Sequence, residues 1–457
     1  MTAPRLSTRI FRPSLSFLLL TAVLALLLLA GGASRPDVLG QVIVRGGVWV
    51  ALLICALFAR PGGAVVTSAP GRILLAALAI VLLQLVPLPP DWWRALAGRG
   101  ELADLPVPAV ASWRPVSTSP GATINAAASF VVPVTVLLLM AGLRDDEDRR
   151  LPMVLLVLAG LSLLAGLLQF SGAGLRSPFV NDTPGDVGGP FANRNHFALF
   201  LAIACVIAPV WAFSDPKWSR RLAPVALGVV ILSALTILAT GSRAGLLLGG
   251  GAFVLALLLV GRDLRRLFKG QSRWAFPAVI VGIMAVVAIF LLISMAADRA
   301  VSIDRLLAAD TGQDMRRRGL PTVFAVIAAY FPMGFGLGGF DPVFRLHEPL
   351  TLLKPTYFNH VHNDFLEAVL DAGVAGAALL AAALIWWIWA SVEAWRYGDG
   401  LARLGSAILL LVIAASLFDY PARTPLILAI STIATVWLSD RQKRGKGSAL
   451  PRETQHL

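Results

Sequence analysis

"LPTVFAVIAAYFPMGFGLGGF", residues 320–340, reads as about twenty apolar residues, the length of a membrane-crossing helix. Whether it crosses decides the topology of everything after it. If it does, the basic segment "RQKRGK" at 441–446 faces outward, against the concentration of Lys and Arg in inner loops. Pro332 and the glycines of "GFGLGG" also interrupt a continuous helix. The stretch is therefore expected to lie on, or dip into, the outer interface rather than cross.

Outward from it, the chain is that of a polytopic membrane protein. It has 457 residues, 57% hydrophobic and only 14% charged, where soluble domains run near about 25% charged. Twelve apolar runs of spanning length occur near 14–31, 43–59, 73–89, 123–142, 151–170, 195–213, 223–240, 244–261, 275–295, 373–392, 404–419 and 424–438. The expected fold is all-α with about 12 transmembrane helices. Residues 1–295 hold the first nine, 296–372 form a large exterior loop, 373–438 hold the last three, and 439–457 form a basic tail.

Arg5, Arg9 and Arg12 precede the first run, which "GGAS" follows, as in a signal peptide. The run is longer than a signal core, so an uncleaved helix is expected. With the N-terminus inside, cytoplasmic loops receive Arg60, Arg72, "RDDEDRR", "KWSRR" and "RDLRRLFKGQSR", and both termini are cytoplasmic. The net charge of +13 then reflects topology and attraction to anionic membrane lipids. With no folded basic domain, a nucleic-acid partner is excluded. Cys55 and Cys205 both fall inside spans and suit buried small hydrophobes, not a disulfide or thiolate metal site.

Ionisable groups inside spans mark transport pathways. Here they are few, namely Arg45 near the start of the second span and Asp419 closing the eleventh, with Gln84 the polar exception in the third. No matching pair of broken helices is visible. A lipid or polysaccharide transporter without transferase chemistry is the alternative reading.

The polar residues gather instead in the exterior segments. Trp92, Trp93 and Trp113 suit interfacial aromatics. "HVHNDFLEAVLDAGVAG", 360–376, starts a helix with Asn363 or Asp364 as its cap. Asp364, Glu367 and Asp371 fall on one stripe, and Gly373 and Gly376 permit close helix packing. His362, at the helix start, has a side chain suited to general-base work near neutral pH. A metal site built from His360, His362 and Asp364 matches no strong ligand spacing, so no bound metal is expected. Arg243 in the tight turn "GSRAG" and Arg316–Arg318 in the large loop suit a bidentate grip on phosphate.

His362-Asn363, nine residues, then Gly373-x-x-Gly376 resembles the His-Asn-x9-Gly-x-x-Gly signature of the bacterial O-antigen ligase and polymerase superfamily. "GPFANRNHFA" (189–198) is similar to that family's Gly-x-Phe-x-Asn-x-Asn-x-x-Ala segment. "TGSRAG" (240–245) is similar to its Ser-Arg-Gly turn, with Ala244 in place of the glycine. Residues 316–340 resemble its arginine-led loop helix ending Pro-x-x-Gly-x-Gly. The resemblance implies a GT-C-like, metal-independent glycosyltransferase that needs no cofactor. On that resemblance it moves a glycan from undecaprenyl diphosphate to an acceptor hydroxyl at the periplasmic face of the bacterial inner membrane, the acceptor being lipid A core or another glycan, with protein Ser or Thr ranked below both. It implies His362 as base and Arg243 with Arg318 on the diphosphate. Arg316, Arg317, Arg194, Asn193, Asn195 and Asn363 become substrate-binding candidates, and Asp364 or Glu367 is expected to orient His362.

Overall fold

The computed structural model describes residues 12–59, 67–100, 112–181, 183, 185–267, 281–282, 285, 311–353, 358–397 and 400–439. The expected ninth span, nearly all of it, the first part of the large loop and the basic tail lie outside the described residues.

The chain is almost entirely helical. Its elements are α1 (Leu15–Ala30), α2 (Leu39–Phe58), α3 (Ala69–Leu83), α4 (Pro90–Arg94), α5 (Pro120–Ser129), α6 (Val131–Ala141), α7 (Asp145–Asp148), α8 (Leu151–Phe170), α9 (Arg194–Ala212), α10 (Ser219–Ala239), α11 (Arg243–Leu267), α12 (Thr311–Tyr330), α13 (Phe340–His347), α14 (Asp364–Tyr397), α15 (Gly400–Ser416) and α16 (Pro425–Ser439). A two-residue antiparallel pair, Pro87–Leu88 with Arg114–Pro115, closes the loop after α3.

Among the described residues seven helices, α5–α6 and α7–α8 each counted as one, are long and apolar enough to cross a membrane. Four shorter apolar helices, α1, α3, α15 and α16, accompany them. Each coincides with an expected span. Helix α12 is not among them. It packs beside α13 and the first part of α14, as a helix at the end of the bundle does.

Apolar side chains all round α9 bury it against α8, α10, α11 and α15. The outer helices instead leave large hydrophobics exposed, such as Leu57, Leu247 and Ile385, where lipid replaces water. The two ends of the bundle differ. At one, the Ser14 hydroxyl donates to Glu147 (2.8 Å), Trp437 Nε1 donates to Asp148 Oδ1 (2.7 Å), and the cation-rich stretches before α8 and α10 and in the last turns of α11 gather. At the other stand the starts of α9, α11 and α14 together with α12, α13 and the loop after α3.

That second end is fastened by backbone contact. Helix α14 breaks at Gly373 (φ 54°), a left-handed conformation that costs a residue with a Cβ. Across the break Phe335 N–H donates to the Leu370 carbonyl (3.1 Å), Gly336 N–H to that of Asp371 (2.9 Å), and Val374 N–H to that of Pro332 (2.9 Å). The Gln84 amide Nε2 also donates to the Asp371 carbonyl (2.8 Å), and its Oε1 accepts from Leu337 N–H (2.9 Å). This corrects the expectation for Gly373, whose missing side chain admits the Pro332 backbone and a bend, not a second membrane helix. The tryptophans divide too: Trp92 and Trp113 are exposed, while Trp93 is buried with the Arg114 guanidinium 5.0 Å from its ring centre.

A Cβ at Gly373 would lie 1.9 Å from the Pro332 carbonyl oxygen, whereas one at Gly250 in α11 meets nothing within 4 Å. Gly373→Ala is expected to destabilise by at least about 2 kcal/mol, and Gly250→Ala to be neutral or mildly stabilising. Thermal unfolding of the two variants in one detergent checks the contrast.

Candidate active site

The site is built around a buried carboxylate. Asp419 follows α15, with its side chain only 3% exposed. Its Oδ2 accepts from Asn195 Nδ2 (2.6 Å) and Asn193 Nδ2 (3.0 Å), and its Oδ1 meets His362 Nδ1 (3.1 Å) and the Tyr420 N–H (3.0 Å). Arg316 Nη2 stands 3.9 Å from Oδ2. Because a carboxylate only accepts, His362 carries its proton on Nδ1, which leaves the lone pair on Nε2.

Local sequence explains the placement of each partner. Asn193 caps α9, its side chain accepting from Asn195 N–H, and the Gly32 carbonyl holds Ala192 beside it. Asn195 Oδ1 accepts from Ser242 Oγ (2.6 Å), while Ser242 Oγ accepts from Gly245 N–H (2.8 Å) at the start of α11. Asn363 caps α14, accepting from Phe365 and Leu366 N–H (both 3.0 Å) and donating to the Leu417 carbonyl (3.1 Å). His362, just before that cap, has φ 56°, the left-handed region that an ordinary residue occupies only when its surroundings impose it. Phe358 and Tyr420 hold the ring at 5.6 and 4.9 Å between centres.

A second buried cluster adjoins the first. Arg423 Nη2 reaches Asp371 Oδ2 (3.0 Å) and Glu367 Oε1 (3.3 Å), and its Nε faces Asp364 Oδ1 (3.6 Å). The expected carboxylate stripe on α14 is therefore the socket of one arginine. Asp364 also accepts from Ser416 Oγ (3.0 Å), and Glu367 bonds His360 Nδ1 (2.7 Å). The carboxylate at His362 is thus Asp419, whereas the two expected to orient it serve Arg423, Ser416 and His360. His360, His362 and Asp364 are turned to different partners and do not converge, and no metal-holding group of three occurs among the described residues.

Charge follows the packing. Burial pulls the His362 ring below the ordinary histidine range, helped by the charges of Arg316 and His360, while Asp419 pulls it back up. Burial opposes ionisation of Asp419, but the His362 hydrogen bond and the neighbouring positive groups hold it far below the usual carboxylate range. Burial likewise opposes the Arg423 charge, yet Glu367, Asp371 and Asp364 hold it firmly protonated.

The remaining expected residues divide. Arg316 reaches the centre, also donating to the Phe418 carbonyl (3.3 Å). Arg317 is exposed beside it, and Arg318 turns to the Thr351 carbonyl (3.1 Å). Arg194 is exposed and 3.6 Å from Asp186, and Arg243 is exposed next to Ser242. Asp419, Tyr420 and Arg423 were not among the expected site residues. An acidic residue closing an otherwise apolar span was the signal that could have found Asp419.

Residues 227–381 match the protein-family model described as O-Antigen ligase. The match supports the O-antigen ligase superfamily. In general terms it supports a membrane glycosyltransferase of the ligase or polymerase type, which implies a lipid-linked glycan donor and a glycan acceptor. No curated protein sequence matches the chain. The O-antigen ligase segment contains Arg243, Arg316–Arg318 and His362, while Asn193, Asn195, Asp419 and Arg423 lie outside it.

Asp419 stabilises the protonated ring, so Asp419→Asn removes an upward influence on His362 and shifts its titration to more acidic pH. The acid limb of kcat/KM is expected below the ordinary histidine value of about 6.5, and lower still in Asp419→Asn, with kcat reduced roughly 100-fold. A pH–rate profile of the two proteins reads both effects.

Proposed function

We propose that the chain transfers a glycan from undecaprenyl diphosphate to an acceptor hydroxyl at the periplasmic face of the bacterial inner membrane, with both termini cytoplasmic. The observation that carries the reading is His362, held through Nδ1 by Asp419, with Arg316 standing 3.9 Å from the same carboxylate.

In the reaction, Nε2 takes the acceptor hydroxyl proton as the oxygen attacks the anomeric carbon. The bond from that carbon to the diphosphate oxygen breaks, and its electron pair leaves with the diphosphate. In-line attack inverts the anomeric centre. Asp419 stabilises the imidazolium that forms. Arg316 and Arg243, with Arg194 and Arg317 at the rim, hold the charge developing on the departing diphosphate. Arg316 takes the place that the sequence assigned to Arg318, because it lies against the Asp419 cluster while Arg318 turns to Thr351. The diphosphate is already a good leaving group, so the reaction needs charge stabilisation and a base, and no metal. Lipid A core and a growing glycan are both acceptors that suit this chemistry.

Purified protein given labelled polyprenyl-diphosphate glycan and acceptor is expected to release the diphosphate carrier, and His362→Ala to abolish release. Unchanged turnover in His362→Ala would sink the base assignment, and absence of transfer with every acceptor would favour a transporter. Arg316→Gln should lower kcat by about 10- to 1,000-fold, as loss of a charge-stabilising donor does, and exceed the effect of Arg318→Gln. Turnover in excess chelator is expected to equal that without it.

A further inference from the structure

Between α2, α3, α5 and α6 on one side and α14–α16 on the other runs a groove of about 890 Å³. Its walls are apolar, with Ile73, Ala77, Leu384 and Val412 among them, and its polar end reaches His360 and Arg423, the latter with its partners Asp364 and Asp371. Arg194, Arg243 and Arg316 do not line it.

Arg45 does, from within α2. Its Nη1 donates to the neutral Asn125 Oδ1 (2.6 Å), and its Nε is buried with no hydrogen-bond partner. Among the described residues no carboxylate pairs with it. On the facing wall the indole Nε1 of Trp386 is also buried and unpartnered. A cation inside an apolar helix is costly and persists where it meets a counter-charge. Arg423 answers this demand with three carboxylates; Arg45 has one amide. At Arg45, therefore, the groove holds a cation whose charge no described side chain balances.

We propose that this groove is a second lipid site, binding a phosphorylated amphiphile with its phosphate on Arg45 and its chain along the walls of α3 and α14. A guanidinium fork matches phosphate oxygens in two-point contact, and a compact anionic head on a long apolar chain is what a half-polar groove beside lipid accommodates. Resting on the transfer reading, the occupant is the acceptor. Its phosphate lies at Arg45 and its glycan extends towards His360, while the donor diphosphate occupies the separate Arg243 and Arg316 side. Both substrates then arrive from the membrane, and a soluble or protein acceptor does not use this groove.

The test is photolabelling of the full chain in nanodiscs by farnesyl phosphate bearing a diazirine on its chain, with the matching farnesol probe as control. Labelling is expected on α3 and α14. It should fall about tenfold with farnesol or in Arg45→Gln, the loss of one charged contact, persist in Arg45→Lys, and vanish in Ala77→Trp, which fills the groove. Equal labelling by farnesol, or labelling indifferent to Arg45→Gln, overturns the site. Equal competition by phosphatidylglycerol assigns it to bulk phospholipid and overturns the acceptor role. Labelling needs no turnover, so it stands or falls apart from the transfer reading. Where transfer occurs, Arg45→Gln should raise KM for a lipid-linked acceptor with kcat and donor KM unchanged. An unmoved acceptor KM overturns the acceptor role.

Discussion

The geometry of this end of the protein depends on one buried carboxylate. Asp419 collects hydrogen bonds from the cap of α9, from the residue that meets the α11 turn, and from the histidine preceding α14. Segments more than two hundred residues apart are thereby fixed to one another through two oxygens. A buried carboxylate stripped of its donors costs several kcal/mol, about 3–5 when a paired charge is left alone, so the donors and the acceptor are mutually required. The chemistry and the packing are the same set of contacts.

Arg423 plays a parallel part beneath it. The carboxylates of α14 point inward because the spacing of Asp364, Glu367 and Asp371 puts them on one face, and the arginine after α15 neutralises that face. Tyr420, between Asp419 and Arg423 in the chain, lies against His360 (4.3 Å between ring centres), His362 and His196. One short connection thus furnishes the anchor for the histidine pair and for the helix that follows it.

Much of the fold was legible because membrane-length apolar runs are long, continuous signals. Pro332 and the glycines after it predict a break in the apolar run 320–340, and α12 ends just there, at Tyr330. The cap at Asn363 was legible too, since capping is local. What escaped was every partner supplied from a distance. Nothing near His362 in sequence indicates Asp419, and a neighbouring carboxylate such as Glu367 is the natural but mistaken guess. The stripe on α14 hides its partner for the same reason, since Arg423 lies on another segment. Gly373 and Gly376 fitted a helix-packing pattern equally well as a bend, and only the approach of the Pro332 backbone separates the two.

The bend at Gly373 also bears on how the protein tolerates the bilayer. The part of α14 beyond it, to Tyr397, is about 36 Å long at 1.5 Å per residue. Were α14 one straight rod of about 51 Å, a change in tilt of about 10° about its midpoint, within the range helices adopt to match membrane thickness, would swing its upper end by about 4 Å. That exceeds the 3.1 Å between His362 and Asp419. With the rod broken at Gly373, the short upper piece is tied to Phe335 and Gly336 and the lower piece meets the same loop at Val374, through the Pro332 carbonyl, so the register of His362 is set by that loop and not by the far end of the helix.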